Sequence, residues 1–168
     1  MEMQNRVVLV AGATGELGRV VVRHFLETGA TVGALFRAGG SGVAGLPEHE
    51  RLLPLTADAT SPREVAGAVE RLRAAAGRID VLANTVGGYA GGRLVDTTDE
   101  AWRHQLDVNL TSAFILSRAV LPLMIDQGSG RLIHVASKAG ADPFPGAIGY
   151  VVSKAGLLAL VSGLAKEL

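Results

Sequence analysis

The 168-residue chain contains no cysteine. Disulfides and thiolate metal sites are therefore excluded, and the absence fits a reducing compartment such as the cytoplasm. There is no basic excess: Lys plus Arg and Asp plus Glu are 16 each, for a formal net charge of zero. A nucleic-acid partner normally demands such an excess, so none is expected. No run reaches about 18 uninterrupted apolar residues, and no membrane span is expected. The opening MEMQNR lacks the apolar segment of a secretory signal. The four histidines, His24, His49, His104 and His134, have no ligand spacing to one another or to a carboxylate pair. No metal site is expected.

What is present is an apolar, glycine-rich chain. Hydrophobic residues make up 48% and charged residues 19%, enough for a packed core of one domain. Glycine accounts for 22 of 168 positions, against an average usage of about 7%, and clusters where apolar runs give way to helical patterns. Arg6–Ala11 reads as a buried strand, Glu16–Thr28 as a helix stopped by Gly29, and Thr31–Phe36 as a second strand. Arg37–Glu50 reads as a flexible connection and Leu52–Thr56 as a third strand. Ser61, Pro62 and Glu64 form a helix start with a capping box, and that helix runs to Ala76. Ile79–Ala83 is a fourth strand. Thr97–Glu100 offers another capping box for a long helix to Gln127, with Pro122 inside it as a kink or an unpaired carbonyl. Arg131–Ala136 is a fifth strand and Ala147–Leu168 a last helix. Continuously apolar strands alternating with helices indicate a doubly wound parallel sheet with helices on both faces. Ligands of such α/β folds bind beyond the carboxyl ends of the strands.

The segments after the strands are therefore the places to look. After the first strand comes AGATGELG, whose Gly12, Gly15 and Gly18 stand three apart, with Thr14 and Leu17 filling the turn. The usual dinucleotide fingerprint is G-x-G-x-x-G, and Ala13 breaks it. The three glycines can still serve a tight turn, a close approach to phosphate and a close helix–strand contact, with a helix N-terminus facing the anion. A glycine turn without ligand is the other reading. After strand two no carboxylate awaits the ribose hydroxyls of NAD. Arg37 stands there instead, either as a ligand for a 2′-phosphate or as a solvated surface arginine. Asp58 after strand three is an adenine or amide acceptor, or a turn aspartate. Asn84 opens NTVGG after strand four and can pair backbone groups of neighbouring loops.

Tyr150 and Lys154 lie i,i+4 at the start of the last helix and share a face, and Ser137 follows strand five. A phenol titrates near pH 10. A lysine ammonium about 5 Å away favours phenolate by roughly 3 kcal/mol at an effective dielectric of about 20. A tyrosine so placed moves toward useful proton transfer, while a serine hydroxyl holds a substrate oxygen.

The segments VLVAGATGELG, DAT, NTVGG, DVNLTSAF, IHVAS and YVVSKAGLLAL together resemble the short-chain dehydrogenase/reductase family, in family order and across essentially the whole chain. The resemblance implies a single Rossmann-like NAD(P)-binding domain over residues 1–168 and hydride transfer between a nicotinamide and a carbonyl/alcohol pair. It implies Tyr150 as general acid–base, Lys154 as its activator and ribose ligand, Ser137 as substrate-orienting group, and Asn109 as holder of a water chain to Lys154. The cofactor expected from Arg37 is NADP(H), with NAD(H) open. A small-molecule carbonyl or alcohol substrate and a homodimer or homotetramer follow from the same resemblance. Two departures stand out. Gly15 replaces a glycine at the position of Glu16, giving the G-x-x-G-x-x-G spacing of the family's extended branch. Family members also continue for about 80 residues more, so a fragment is expected, with strand five as a bare apolar edge. A non-catalytic nucleotide-binding regulatory or assembly protein of the same fold is the competing reading.

Overall fold

The computed structural model describes residues 3–39, 43 and 45–168. Residues 40–42 and 44, within the connection expected to be flexible, lie outside the described residues, as do Met1 and Glu2.

Five strands form one parallel sheet: β1 (Val7–Ala11), β2 (Thr31–Phe36), β3 (Leu52–Thr56), β4 (Val81–Asn84) and β5 (Arg131–His134). Their spatial order is β3-β2-β1-β4-β5. Five helices accompany them: α1 (Glu16–Glu27), α2 (Pro62–Ala76), α3 (Asp99–Leu106), α4 (Ser112–Asp126) and α5 (Ile148–Glu167). This is a Rossmann-like doubly wound α/β fold. The central strand β1, VVLVA, is buried along its whole length, as a strand covered on both faces must be. One core pairs Leu9, Leu35 and Leu82 with Val65 and Leu72 of α2 and Leu116 and Val120 of α4. The other pairs Val8, Val10 and Val32 with Val22 and Leu26 of α1. β5 closes one side of the sheet, with Ile133 49% and Val135 39% exposed. Along it runs an apolar groove of about 530 Å³ between Met124 and Ile125 of α4 and Val161 and Leu164 of α5. Among the described residues β5 has one strand neighbour, β4.

Several element boundaries differ from the pattern-based expectation, each for a local reason. β4 begins at Val81, because the backbone N–H and carbonyl of Ile79 are both engaged by the Gln127 side chain (3.1 and 2.9 Å). β5 ends at His134, opposite the last residue of β4, Asn84. The α2 cap is partly as expected: Pro62 takes the first turn, and Ser61 Oγ accepts from Glu64 N. The box is not reciprocal, because Ser61 N already donates to the Asp58 carbonyl, and Glu64 Oε2 accepts from Asp58 N at 2.9 Å instead. At α3 the cap is Thr98, which accepts from Ala101 N, while the Thr97 hydroxyl donates to the Arg93 carbonyl.

The long helix expected from the Thr97–Glu100 start to Gln127 is interrupted by a π-helical stretch, Asp107–Thr111. Such widened turns recur at functional sites, and this one carries the buried Asn109. Pro122 lies on the exposed side of α4, which runs on to Asp126. There water can take the carbonyl that proline leaves without a donor. Asp99–Asp126 and α5 are long and apolar enough to cross a membrane by length and composition alone, although no uninterrupted apolar run reaches that length. Core helices share that length and composition, and α4 contributes Ile115, Leu116, Val120 and Met124 to the sheet core.

Two close contacts hold the amino-terminal half. Asp80, with its side chain 6% exposed, accepts from Arg6 (2.8 Å), Arg78 (2.6 and 2.9 Å) and Val7 N (2.9 Å). Burial raises its carboxyl, and the hydrogen bonds from Arg78, Val7 and Arg6 together outweigh this, holding it below the ordinary 3.8. At the other end of β1, a Cβ on Gly18 would overlap the Gly12 carbonyl oxygen. Only a hydrogen there lets α1 start so close to the strand.

Both contacts give predictions. Asp80→Ala should lower stability by about 2 kcal/mol, less than the usual cost of breaking a buried pair because both arginines are already exposed to water. Since the folded carboxyl is depressed, its contribution is present above the unfolded pKa and lost as pH falls through the folded one, so the gap between wild type and variant should shrink in acid denaturant titrations. Gly18→Ala should cost about 2 kcal/mol or more in the same measurement, because backbone rather than a movable side chain meets the new methyl.

Candidate functional site

Parallel pairing places all five strand ends on one side of the sheet, and every segment singled out from the sequence emerges there. In the turn after β1, Gly12 has φ +78°, and its amide and that of Ala13 both donate to the Leu35 carbonyl at 3.0 Å. The Gly15 amide returns to the Gly12 carbonyl, also at 3.0 Å. Thr14 is half-buried at the bend, Gly15 is the N-cap of α1, and no side chain caps that helix. The first-turn amides of α1 have no carbonyl inside the helix to bond, as at any helix start. Glu16 is exposed, and Leu17 is 48% exposed beside it.

The turn after β4 is tied to this one. Thr85 Oγ1 donates to the Ala11 carbonyl at 2.8 Å and lies 3.3 Å from that of Gly12. A Cβ on Gly12 would come within 2.8 Å of Thr85 Oγ1 and 3.0 Å of Val86 N. Glycine and positive φ are therefore both required at this position. Asn84 is 2% exposed. Its Oδ1 accepts from Val86 N at 3.0 Å, and its Nδ2 faces His134 Nδ1 at 3.1 Å. It thus holds its own loop and the next strand.

Asn109 reaches the same loop from the π-helical stretch. It accepts from Gly88 N (3.0 Å) and donates to the Gly88 carbonyl (2.9 Å) and the Gln105 carbonyl (3.1 Å). Lys154 approaches from the other side. Its Nζ donates to the Val135 carbonyl at 2.9 Å, the residue is 5% exposed, and burial pushes its ammonium below the ordinary lysine value. Gly87 lies between them: a Cβ there would stand 2.9 Å from Asn109 Oδ1 and 3.3 Å from Lys154 Nζ.

Tyr150 is half-buried one helical turn before Lys154. The lysine Nζ is 6.0 Å from its ring centroid. Tyr89 meets the Tyr150 ring edge-on at 5.1 Å between centroids. A cleft of about 200 Å³ is lined by Thr85 to Tyr89, Val135, Ala136, Tyr150 and Lys154. Ser137, next along the chain, caps the 3-10 turn Lys138–Gly140, accepting from Ala139 N at 3.2 Å, so its hydroxyl hydrogen is left to donate. That turn packs on the α5 backbone at Lys154, where a Cβ on Gly140 would come within 2.7 Å.

Arg37 and Asp58 sit apart from this cleft, at the β2 and β3 ends. Arg37 is exposed. Asp58 Oδ1 accepts from Thr60 Oγ1 (2.7 Å) and Thr60 N (2.8 Å). Those bonds, with the charge of Arg37, hold its carboxyl below the ordinary 3.8 against the effect of burial. Its Oδ1 is thus engaged within its own turn. Thr85, Tyr89, Gln105 and His134 join the site without a signal of their own in the sequence. Thr85 and Tyr89 lie inside the flagged NTVGG segment and its continuation. Among the described residues, no cluster of three or more His, Cys, Asp or Glu could hold a metal.

Comparison with known proteins shows the family of this fold. A family model described as short chain dehydrogenase covers residues 6–168. An uncharacterized oxidoreductase, YvrD, of Bacillus subtilis is 31% identical over 99% of this chain and 64% of its own length. The 3-oxoacyl-[acyl-carrier-protein] reductase FabG of Thermotoga maritima is 32% identical over 100% of this chain and 70% of its own. A crystal structure of a short-chain dehydrogenase/reductase from Burkholderia xenovorans, itself described as putative, superposes with a TM-score of 0.89 at 34% identity, over 98% of this chain and 69% of that one. The ligand-free aldohexose dehydrogenase of Thermoplasma acidophilum gives a TM-score of 0.88 at 25% identity, over 99% and 62%. The chain spans about two thirds of the length of these relatives. It belongs to the short chain dehydrogenase family.

Proposed function

We propose that this chain, read as one nucleotide-binding domain over residues 1–168, serves an NAD(P)(H)-dependent oxidoreductase that interconverts a small-molecule carbonyl and its alcohol. The observation that carries this reading is the single cleft in which Tyr150, Lys154 and the Gly87–Gly88 backbone meet at the carboxyl ends of parallel strands. Relatives named as reductases and dehydrogenases support it.

The residues present fit a dinucleotide. Gly12 and Gly87 let the strand-end loops pack closely on Thr85, Asn109 and Lys154, and the exposed Gly15 leaves the uncapped start of α1 bare of side chains, the form that close approach of a phosphate needs. We assign the pyrophosphate to Gly12, Thr14, Gly15, Leu17 and Gly18, with the amides and dipole of the α1 start facing it. Arg37 is assigned to an adenosine 2′-phosphate, which makes NADP(H) the preferred form over NAD(H), and Asp58 to the adenine side. Asn84, Tyr150 and Lys154 take the nicotinamide ribose side. When bound, the nicotinamide supplies or accepts the hydride.

The chain's own groups orient substrate and move the proton. Ser137 donates its hydroxyl hydrogen to the substrate oxygen. Tyr150 gives its phenolic proton to that oxygen on reduction and takes it back on oxidation. The Lys154 ammonium, fixed by the Val135 carbonyl, stabilises the negative charge left on the phenolic oxygen. Asn109 holds the Gly88 backbone and, in this reading, the water path by which Lys154 exchanges protons with solvent. The setting is the cytoplasm. Phe114 on α4 and Val152 and Val161 on α5, all more than a third exposed, are assigned to contact within a homodimer or homotetramer.

Two variants of the full-length chain test the reading. Tyr150→Phe should keep dinucleotide affinity and lose turnover by about 100-fold or more, followed as reduced-nicotinamide absorbance with a panel of carbonyls. Undiminished turnover would remove Tyr150 from the chemistry. Arg37→Asp should swing the NADP(H)/NAD(H) preference toward NAD(H) by about tenfold or more, the worth of one charge-assisted contact. An unchanged ratio would contradict the assignment of Arg37.

A further inference from the structure

His134 has no part in the chemistry above, yet it is tied on both sides. It lies on β5 beside Asn84 of β4. Asn84 Oδ1 is taken by the Val86 amide, so the group that Asn84 turns to His134 Nδ1, at 3.1 Å, is its NH₂ donor. Nδ1 must therefore accept, and a neutral ring then carries its proton on Nε2. Nε2 is 3.0 Å from Ser117 Oγ, which donates onward to the Ala113 carbonyl at 2.7 Å. Each donor in this chain meets one acceptor, from the loop after β4 through β5 to α4.

We propose that His134 is a positioning residue: as a neutral, Nε2-protonated imidazole it fixes Asn84 and hence the Val86–Gly88 backbone, and its protonation releases that loop. An imidazolium would turn an N–H at Nδ1 toward the NH₂ of Asn84. The clash is relieved only if the Asn84 amide turns over, which takes Oδ1 away from Val86 N. The Val86–Gly88 segment lines the cleft with Tyr150 and Lys154, so the consequence for the dinucleotide rests on the reading proposed above.

The surroundings favour the neutral ring. β4 presents no charge along Val81–Asn84. α4 presents Ser117, and its neighbour Arg118 lies over the Phe114 ring. α5 presents the buried Lys154, and Arg131 opens β5 itself. Among the described residues no carboxylate pairs with His134. Burial first, and the Lys154 charge second, push its imidazole below the ordinary 6.5. With the folded value depressed, the tie is complete above the unfolded pKa and is lost as pH falls through the folded one.

The test is an NMR titration of the full-length chain from about pH 7 down through the protonation of the His134 ring, which burial holds below the ordinary imidazole value. The expected result is a neutral Nε2–H tautomer at pH 7 and a Val86 amide resonance that moves in step with the His134 ring. His134→Asn can keep an acceptor at the Nδ1 place and cannot titrate, so its Val86 resonance should stay flat. Affinity for NAD(H), which has no 2′-phosphate to titrate, should fall about three- to tenfold across the same range in the wild type, the worth of one hydrogen bond, and stay constant in His134→Asn. An Nδ1–H tautomer, or a Val86 amide indifferent to the ring's titration, would overturn the proposal. Both readouts need only the wild type, so they decide even if the variant does not fold. Absence of dinucleotide binding at every pH would count against the cofactor reading, and the ring and Val86 readouts would still decide the proposal about His134.

Discussion

The parallel register around β1 is the constraint on which the rest depends. Ala11 stands beside Leu35 of β2 on one side and Asn84 of β4 on the other, and Asn84 in turn stands beside His134 of β5. Because every strand runs the same way, each connection leaves the sheet at one end, and groups distant in sequence are gathered there. Thr85 can reach the Ala11 carbonyl only in this register. A slip of one residue would turn the buried side chains of β1 and β4 to opposite faces and scatter the loops with them.

On that edge the loops are held by polar ties rather than by apolar packing. Asn109 brackets the Gly88 peptide, Lys154 takes the Val135 carbonyl, and Asn84 spans Val86 and His134. Each tie satisfies a backbone group that would otherwise be orphaned in a half-buried loop. The tie at Gly88 also holds a Gly87–Gly88 stretch that lines the cleft without side chains, a form that suits close approach of a ligand. One set of hydrogen bonds therefore both stabilises the turns and shapes the cleft.

Much of this was legible in the sequence, and the part that was not shares a physical cause. The glycine turn at Gly12–Gly18 and the Tyr150–Lys154 pair are local: the former follows an apolar run, and the latter needs only helical spacing. Ser61 as a cap was legible, whereas the partner of Glu64 depends on how the Asp58 turn folds back. The π-helical stretch at Asp107–Thr111 leaves no mark in a 3.6-residue pattern, so the place of Asn109 could be inferred from resemblance and its hold on Gly88 could not. His134 shows no metal-ligand spacing, and its real partners lie 17 and 50 residues away. Only the sheet register brings them together. The larger groove along β5 is likewise a property of the sheet edge, not of any one segment.

On the proposed function, the strand-end surface from Gly12 to Lys154 takes a dinucleotide. Amide chemical-shift mapping of the chain with added NADP⁺ tests it directly. Saturable shifts are expected at Gly12–Gly18, Asn84–Gly88, Ser137 and Tyr150–Lys154, with one dinucleotide per chain. Shifts confined to the groove between α4, β5 and α5, or no saturation at all, would contradict it.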